Sequence, residues 1–273
     1  MFYKNIIGWI AKSKRKLSTN FGSRSKSNSL TVRNQRVVNF RVLSLLILYG
    51  FIFAHLVFAQ EDPFARERQR MVKEDLAGRD ITDKKVLEAM GKVKRHLFVD
   101  EDLWDQAYKD YSFSIGEGQT ISQPYVVARM TQALAIKPGE KVLEIGTGTG
   151  YQAAVLAELT DKVYTIEILP LLAQKAAQRL HALGYASVKV KCGDGYAGWE
   201  EYAPFDAILI TCAADQIPPA LLKQLKVGGR LIMPLKTTSF TQFLTLVTKK
   251  ENEVKRESLR GVVFVPMTGK AQH

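Results

Sequence analysis

The sequence predicts an α/β fold with a doubly wound, mostly parallel sheet, helices on both faces and extra strands at its C-terminal end. Three observations lead to this prediction. Short apolar runs alternate with helical patterns through the second half of the chain, which is typical of βαβ units. A glycine-rich turn, 146–150, joins the first of these runs to a helix. Three successive predicted strands each end near an acidic residue.

The first 59 residues differ in composition from the rest of the chain. They contain ten of the 39 Lys and Arg residues and none of the 27 Asp and Glu residues. The remainder therefore has 29 basic and 27 acidic residues. The formal charge of +12 is therefore concentrated in this leader. The near-neutral remainder offers no broad basic face, and we predict no nucleic-acid partner.

The leader has two parts. Residues 1–41 are basic and rich in Ser and Asn, which predicts a disordered segment or, alternatively, a long positively charged n-region of a signal. Residues 42–59 form an apolar run that predicts a secretory signal or, alternatively, a single-pass membrane anchor. Either interpretation would place the remaining domain, 60–273, outside the cytoplasm.

Two helices are predicted between Phe64 and Met90, with a break at 78–80 and a second start near Thr82. The aromatic residues of the following segment, 91–117, are interpreted as core, and His96 as structural. The four histidines show no metal-ligand spacing, so no metal site is predicted.

The segment 116–124, GEGQTISQP, precedes an apolar-periodic helix from Pro124 to Leu134. Ser122 is a good N-cap for this helix, with Pro124 in the first turn. Alternatively, the Ser122 hydroxyl and nearby N–H groups hold an anionic substrate at the helix N-terminus. The local pattern leaves both roles open.

The run Val142–Ile145 predicts a strand buried on both faces, followed by the glycine turn and a helix. The spacing is G-x-G-x-G rather than the G-x-G-x-x-G of dinucleotide folds, and Glu144 stands two positions before the first glycine. A carboxylate there suits a cation or an amine better than a pyrophosphate, and S-adenosylmethionine carries both a sulfonium and an amino group. The alternative is a glycine turn with no ligand.

The next two strands also end near acids. Glu167 ends the turn and strand at 161–167, where an acid can bond ribose hydroxyls; alternatively it is an ordinary acid at a helix N-terminus. A helix over 171–183 and a third strand over 187–192 follow, with Asp194 just beyond. Together the three acids predict a nucleoside pocket.

The remaining elements complete the predicted sheet. They are a fourth strand at 204–211, a helix at 218–224 stopped by 226–229, a fifth strand at 230–235, and later strands at 243–249 and 261–266. Cys192 and Cys212 end strands three and four, which a doubly wound order keeps too far apart for a disulfide. Both are predicted to be free and mostly buried.

Six segments between about Met71 and Lys270 carry a resemblance to a known family. They are Arg95–Val99, Gly118–Pro124, Leu143–Tyr151, Gly193–Gly195, Ala203–Ile208 and Phe264–Thr268. The glycine loop is shared by many methyltransferases, whereas the TISQP segment ahead of it is far more specific. With the two in this order, the chain resembles the protein-L-isoaspartate O-methyltransferase family.

The resemblance implies a Rossmann-like, S-adenosylmethionine-dependent methyltransferase domain over 60–273. It would methylate the free α-carboxylate of L-isoaspartyl residues in damaged proteins and peptides, and the ester would then close to a succinimide without the enzyme. The family's active-site serine corresponds to Ser122. Its donor-binding residues correspond to Gln119, Thr120, Ile121, Glu144, Gly146, Gly148, Thr149, Glu167, Asp194, Gly195 and Thr268.

The chemistry agrees with this assignment, because a carboxylate is already a nucleophile at pH 7 and needs no general base. The protein must supply position and exclude water. Two other functions are compatible with the same residues. One is a methyltransferase acting on another acceptor, and the other is a membrane-tethered module that binds the donor without turnover.

Three features depart from the family pattern. Asp215 stands where a proline is usual, residues 236–239 lack the usual glycine, and the leader is absent from the cytoplasmic members. The first two affect peptide access. The leader indicates export, whereas the donor is made in the cytosol, and translation from Met71 would remove the leader. We expect a monomer acting in the cytoplasm, with export or membrane contact through 42–59 as the alternative.

Overall fold

The computed structural model describes residues 62–238 and 241–272. The predictions for 1–41 and 42–59 lie outside this range, and the domain boundaries therefore stay predictions. Across the described residues, no helix has both the length and the apolar character needed to cross a membrane.

The described chain begins with helical elements. They are α1 (Ala65–Arg70), continued by a π-helix (Met71–Ala77), then α2 (Lys84–Lys92) and two 3-10 helices (Arg95–Phe98 and Glu101–Gln106). The predicted break at 78–80 is confirmed. The start near Thr82 is corrected by one residue, because Asp83 caps α2: its Oδ1 accepts from the N–H of Lys85 at 2.9 Å.

An alternating α/β region follows a short antiparallel hairpin, β1 (Phe113–Ser114) and β2 (Thr120–Ile121). Its elements are α3 (Pro124–Leu134), β3 (Lys141–Ile145), α4 (Tyr151–Ala157), β4 (Lys162–Glu167), α5 (Pro170–Ala182), β5 (Lys189–Cys192), β6 (Phe205–Ile210), α6 (Pro219–Gln224), β7 (Leu225–Lys236), β8 (Gln242–Lys249) and β9 (Val254–Val262). Short 3-10 helices cover Gly195–Ala197, Glu200–Tyr202 and Gly269–Gln272.

The sheet has the order β5-β4-β3-β6-β7-β8-β9. The strands from β5 to β7 are parallel, and β8 and β9 are antiparallel additions. This confirms the predicted doubly wound topology. The chain runs outward from β3 to β5 and returns to β6, and ligands of such sheets bind at the carboxyl ends of the strands beside this switch point.

The core lies on both faces of the sheet. Val142 packs in one cluster with residues of α3 and α4, whereas Leu143 and Ile145 pack in the other with Leu221 of α6. The prediction that β3 is buried on both faces is therefore confirmed. This arrangement makes β3 a rigid support for the glycine turn that follows it.

Two strand predictions are corrected. β7 begins at Leu225, so residues 226–229, predicted to stop a helix, lie within the strand. β9 covers Val254–Val262 rather than 261–266. The apolar alternation used to locate strands is absent from β9, because it is an edge strand whose residues are mostly exposed. Residues 264–268 lie at the end of the sheet instead, where Pro266 forms an isolated parallel β-bridge with Ala213.

The two cysteines are free, as predicted. Cys192 is the last residue of β5 and Cys212 follows β6, with β4 and β3 between these two strands. The prediction that both are mostly buried is wrong for Cys192, which is exposed because it ends an edge strand. Cys212 is half-buried. Burial, with a smaller effect of the Glu167 carboxylate, raises the pKa of its thiol to about 12.

Candidate active site

Two cavities lie at the carboxyl ends of β3, β4 and β6, and a third lies beside them at the sheet edge. The glycine-loop cavity, about 570 Å³ including its open mouth, is lined by seven of the predicted residues: Gln119, Thr120, Gly146, Gly148, Glu167, Gly195 and Thr268. The inner cavity adjoins it and is lined by Ile121, Ser122, Glu144 and Thr149, together with Thr120, Gly146 and Gly148. The third, the edge cavity, lies beside the edge strand β9.

The glycine turn is clamped to the end of β6. The Thr211 hydroxyl donates to the carbonyl oxygens of Ile145 (3.0 Å) and Gly146 (2.8 Å). Gly146 has φ 96°, and a Cβ there would collide with Thr211 Oγ1. A Cβ on Gly195 would likewise meet Ile145 Cγ2. Glycine is therefore required at both positions for the cavity to keep its shape.

Glu167 fastens the same turn to β4. Its Oε2 accepts from the N–H of Gly148 at 2.8 Å, and its Oε1 accepts from the N–H of Leu169 at 3.1 Å. The carboxylate is buried and lines the glycine-loop cavity. Leu169 is the N-cap residue of α5, so the structure gives Glu167 both of its predicted positions, beside the cavity and at a helix N-terminus.

Glu144 is a fully buried carboxylate without a hydrogen-bond donor. It is 0% exposed, and neither of its oxygens has a hydrogen-bond partner among the described residues. Burial raises its pKa to about 8, and the negative charge of Glu167 adds to this shift. An unpaired buried acid is costly. A cation or an amine bound in the adjoining cavities would offset that cost.

Asp194 lies beside the site rather than in it. Its Oδ1 accepts from the N–H of Tyr196 at 2.9 Å, and its Oδ2 accepts from the N–H of Lys270 at 3.0 Å. It does not line the glycine-loop or inner cavity, although its neighbour Gly195 does. Its predicted contact with the donor stays a prediction.

Ser122 is not the N-cap of α3. Gln123 holds that position and makes no side-chain cap bond. The N–H of Tyr125 donates to Asp110 Oδ1 at 2.8 Å, and the N–H groups of residues 126 and 127 bond to the Gln123 carbonyl. Because Asp110 reaches the helix from a distant loop, the capping interpretation of Ser122 is wrong. Ser122 lines both the inner and the edge cavity, so its side chain is available to contact a ligand in either one.

A buried arginine fixes the backbone at Ser122. Arg95 is 0% exposed, and its guanidinium donates to the carbonyl oxygens of Ser122 (2.7 Å) and Ala107 (2.8 Å). Its Cζ lies 4.7 Å from the centroid of the Tyr151 ring. The sequence reasoning missed Arg95 and Thr211 as site residues. The available signal for Arg95 was its place in the segment Arg95–Val99, which carries part of the family resemblance; Thr211 carried none beyond its place at a strand end.

The edge cavity provides a second, larger space next to Ser122. It has about 1110 Å³ of empty space including open solvent, between the β2–α3 segment and β9. Val263, on its wall, is 94% exposed. Thr120 lines the edge, inner and glycine-loop cavities alike. The short segment Thr120–Ser122 therefore separates the glycine-loop cavity from the larger edge cavity.

The segment at 265–268 covers the glycine-loop cavity. The N–H of Ala213 donates to the Val265 carbonyl at 2.9 Å, and the N–H of Met267 donates back to the Ala213 carbonyl at 2.7 Å. These bonds place Thr268 on the cavity wall. Within the described ranges, no group of three or more His, Cys, Asp or Glu side chains could hold a metal ion.

Comparison with known sequences identifies the family. Residues 66–272 match the model for protein-L-isoaspartate(D-aspartate) O-methyltransferase (PCMT). The chain is 50% identical to Protein-L-isoaspartate O-methyltransferase 2 of Shewanella sediminis, over 85% of this chain and 95% of that protein. It is 53% identical to the Protein-L-isoaspartate O-methyltransferase of Opitutus terrae, over 83% of this chain and 96% of that protein.

Solved structures of proteins described as protein-L-isoaspartate O-methyltransferases are similar to this fold. One protein-L-isoaspartate O-methyltransferase is similar with a TM-score of 0.69 and 29% identity, over 75% of this chain and 67% of that chain. A Plasmodium falciparum structure described as a beta-aspartate methyltransferase (PCMT), in complex with S-adenosyl-L-homocysteine, is similar with a TM-score of 0.63 and 26% identity, over 74% of this chain and 98% of that chain. The chain thus belongs to the protein-L-isoaspartate(D-aspartate) O-methyltransferase family.

Proposed function

We propose that the chain methylates the free α-carboxylate of L-isoaspartyl residues in damaged proteins and peptides, with S-adenosylmethionine as donor and Ser122 as the residue that orients the carboxylate. One observation carries the proposal for the site. The segment Thr120–Ser122 forms a shared wall between the glycine-loop and inner cavities on one side and the peptide-sized edge cavity on the other. An acceptor and a donor could meet there.

The residues of the glycine-loop and inner cavities fit the donor. S-adenosylmethionine supplies an electrophilic methyl group on a sulfonium. Glu144, an unpaired buried acid, keeps its proton in the donor-free protein because burial raises its pKa to about 8, and it would lose that proton to face a cationic or amine group in the inner cavity. Glu167 faces the glycine-loop cavity from the end of β4, where an acid can accept from ribose hydroxyls. The Gly146 and Gly195 backbones allow close approach because a Cβ at either has no room.

The residues around Ser122 fit an ionised acceptor. A carboxylate at pH 7 needs no base, so these residues have to position it and keep water out. The Ser122 hydroxyl can donate to one carboxylate oxygen and leave the other free to accept the methyl group. Arg95 holds the Ser122 backbone through a carbonyl at 2.7 Å, which limits the positions this hydroxyl can reach. Exposed Val263 on the far wall offers apolar contact to a peptide.

The experiment uses the purified chain, labelled donor and two peptides that differ only in one isoaspartyl or aspartyl linkage. We expect labelling of the isoaspartyl peptide alone. Labelling of a different acceptor class, with neither peptide labelled, would support a methyltransferase with another substrate. Donor binding without transfer to any acceptor would support a binding module.

Ser122 is tested by Ser122→Asp, with Ser114→Asp as the matched control. Ser114 is an exposed residue of β1 and lines none of the three cavities. The aspartate at 122 places a negative charge where the substrate carboxylate should lie, and like charges repel strongly in a water-poor site. Turnover should fall steeply in Ser122→Asp and much less in the control. Near-normal turnover of Ser122→Asp would remove the assigned role.

The chain's location and assembly are part of the proposal. We propose that a monomer acts in the cytoplasm, where the donor is made, and that translation from Met71 or removal of the leader produces the active form. Export or membrane contact through 42–59 is the alternative. Mass spectrometry of the native N-terminus decides between them. A mature chain beginning near residue 60 in an exported fraction would contradict the cytoplasmic proposal.

A further inference from the structure

Arg260 is the charged residue of the edge cavity. In the part of the chain that the structure describes, it is the one ionisable side chain on the cavity wall. It is half-buried on β9, and its Cζ lies 4.6 Å from the centroid of the Tyr125 ring. A guanidinium held over an aromatic ring has a fixed position and keeps donors for a planar anion.

The two acids that bond to Tyr125, Asp80 and Asp110, are already paired with other arginines. Asp110 accepts from Arg79 at 2.8 Å, and Asp80 lies 3.4 Å from Arg129. No carboxylate among the described residues lies within ion-pair distance of Arg260 itself. The region around Tyr125 therefore contains three arginines and two acids. The unpaired positive charge is that of Arg260, on the wall of the edge cavity.

We propose that Arg260 binds an acidic side chain next to the isoaspartyl residue, so that the chain prefers damaged peptides with a neighbouring Asp or Glu. This inference rests on the proposed function. Arg260 lines the edge cavity but neither of the cavities on the donor side, whereas Thr120 lines all three. A second carboxylate of the peptide, separate from the accepting one, is therefore its partner.

The chemistry of methyl transfer is a second reason to place Arg260 on a neighbouring side chain and not on the accepting carboxylate. The negative charge of the accepting carboxylate decreases as its oxygen bonds to the methyl carbon. A guanidinium on that oxygen would stabilise the ground state more than the transition state and would slow transfer. The same guanidinium on a neighbouring side chain contributes equally to both states, which strengthens peptide binding without that penalty.

The test compares isoaspartyl peptides that carry Glu, Gln or Lys immediately before or after the isoaspartyl residue. The enzymes are the unaltered chain, Arg260→Met, Arg260→Glu and the control Arg256→Met, which removes an exposed arginine of β9 that does not line the cavity. The readout is the ratio of kcat/KM for the Glu peptide to that for the Gln peptide. This ratio cancels any general loss from disturbed packing on Tyr125.

We expect the unaltered chain to favour Glu over Gln about fivefold on one side of the isoaspartyl residue, the size of a partly exposed ion pair. The difference should lie in KM and should shrink in high salt. Arg260→Met should bring the ratio to about one, Arg260→Glu should favour Lys, and Arg256→Met should keep the original ratio.

Three results would overturn the inference. An unaltered chain without preference between Glu and Gln is one. An equal loss of the ratio in Arg256→Met and Arg260→Met, which would indicate a general surface charge, is another. The third is an Arg260→Met variant that keeps the Glu-to-Gln ratio of the unaltered chain, which would mean that Arg260 does not contact the neighbouring acidic side chain. Failure to methylate any isoaspartyl peptide would overturn the proposed function as well, and the Gln peptide separates that case.

Discussion

Replacing Glu144 with glutamine should remove a pH dependence from the stability of the donor-free protein. Burial raises the pKa of Glu144 from its ordinary value of 4.5 to about 8. The folded state therefore retains this proton in a range where the unfolded chain releases it. The contribution of the Glu144 carboxyl to the free energy of unfolding is therefore present in full below pH 4.5, and it is lost as the pH rises through 8.

The magnitude follows from the difference between the two pKa values. Each pH unit within this window costs at most about 1.4 kcal/mol, so the wild-type chain should lose about 2–3 kcal/mol between pH 5 and pH 7 from this group. Glu144→Gln does not titrate. The difference in the free energy of unfolding between wild type and variant should therefore change by this amount across the same range, whatever the glutamine itself costs.

The assay is urea unfolding at pH 5, 6, 7 and 8 without donor, with Glu140→Gln as the control. Burial alone would raise the pKa of Glu140, but Arg230, whose Nη2 lies 2.8 Å from its Oε2, holds that pKa below the ordinary value. Its stabilisation is present above pH 4.5, so Glu140→Gln should lower stability by a constant amount from pH 5 to 8. Parallel profiles for wild type and Glu144→Gln would refute the reasoning, since they would mean that Glu144 ionises normally.

Three further predictions concern the site and its surroundings. Ser122→Asp should keep the wild-type melting temperature, because Asp110 caps α3; a large drop by calorimetry would restore a structural role for Ser122. Glu167→Ala should weaken donor binding by about 1–3 kcal/mol, the range for a lost hydrogen bond to a charged group, and unchanged affinity in titration calorimetry would reject its role. Thiol counting should find two free thiols. Exposed Cys192 should react in the folded protein and Cys212 only on unfolding, because its pKa of about 12 leaves little thiolate; equal rates for the two thiols would contradict this.

The central sheet could be predicted because its signals are local. The apolar run at β3, the glycine turn and the acids at strand ends are each read from a few consecutive residues, and the resemblance in TISQP added the reaction. β9 was misplaced because an exposed edge strand need not alternate apolar and polar residues. The positions of Gly146 and Glu167 on one cavity wall followed from topology alone, since the carboxyl ends of parallel strands meet there.

The roles of Ser122 and its supports depended on distant residues. Serine before proline at a helix start is a capping pattern, but the carboxylate of Asp110 takes the donor that a cap would satisfy. Arg95, 27 positions before Ser122, holds its carbonyl. Thr211 holds Gly146 in the same manner from 65 positions away. Such contacts form only in the folded chain, so no residue spacing in the sequence predicts them.

A competition in one tube tests whether the chain selects the isoaspartyl linkage. Equal amounts of an isoaspartyl peptide and its aspartyl twin are incubated with the chain and S-adenosylmethionine, and the methyl ester and succinimide products are followed by mass spectrometry. We expect that the isoaspartyl peptide is consumed while its twin stays unchanged, and that Ser122→Asp slows this consumption steeply. Equal methylation of both peptides, or none of either with the donor bound, would contradict it.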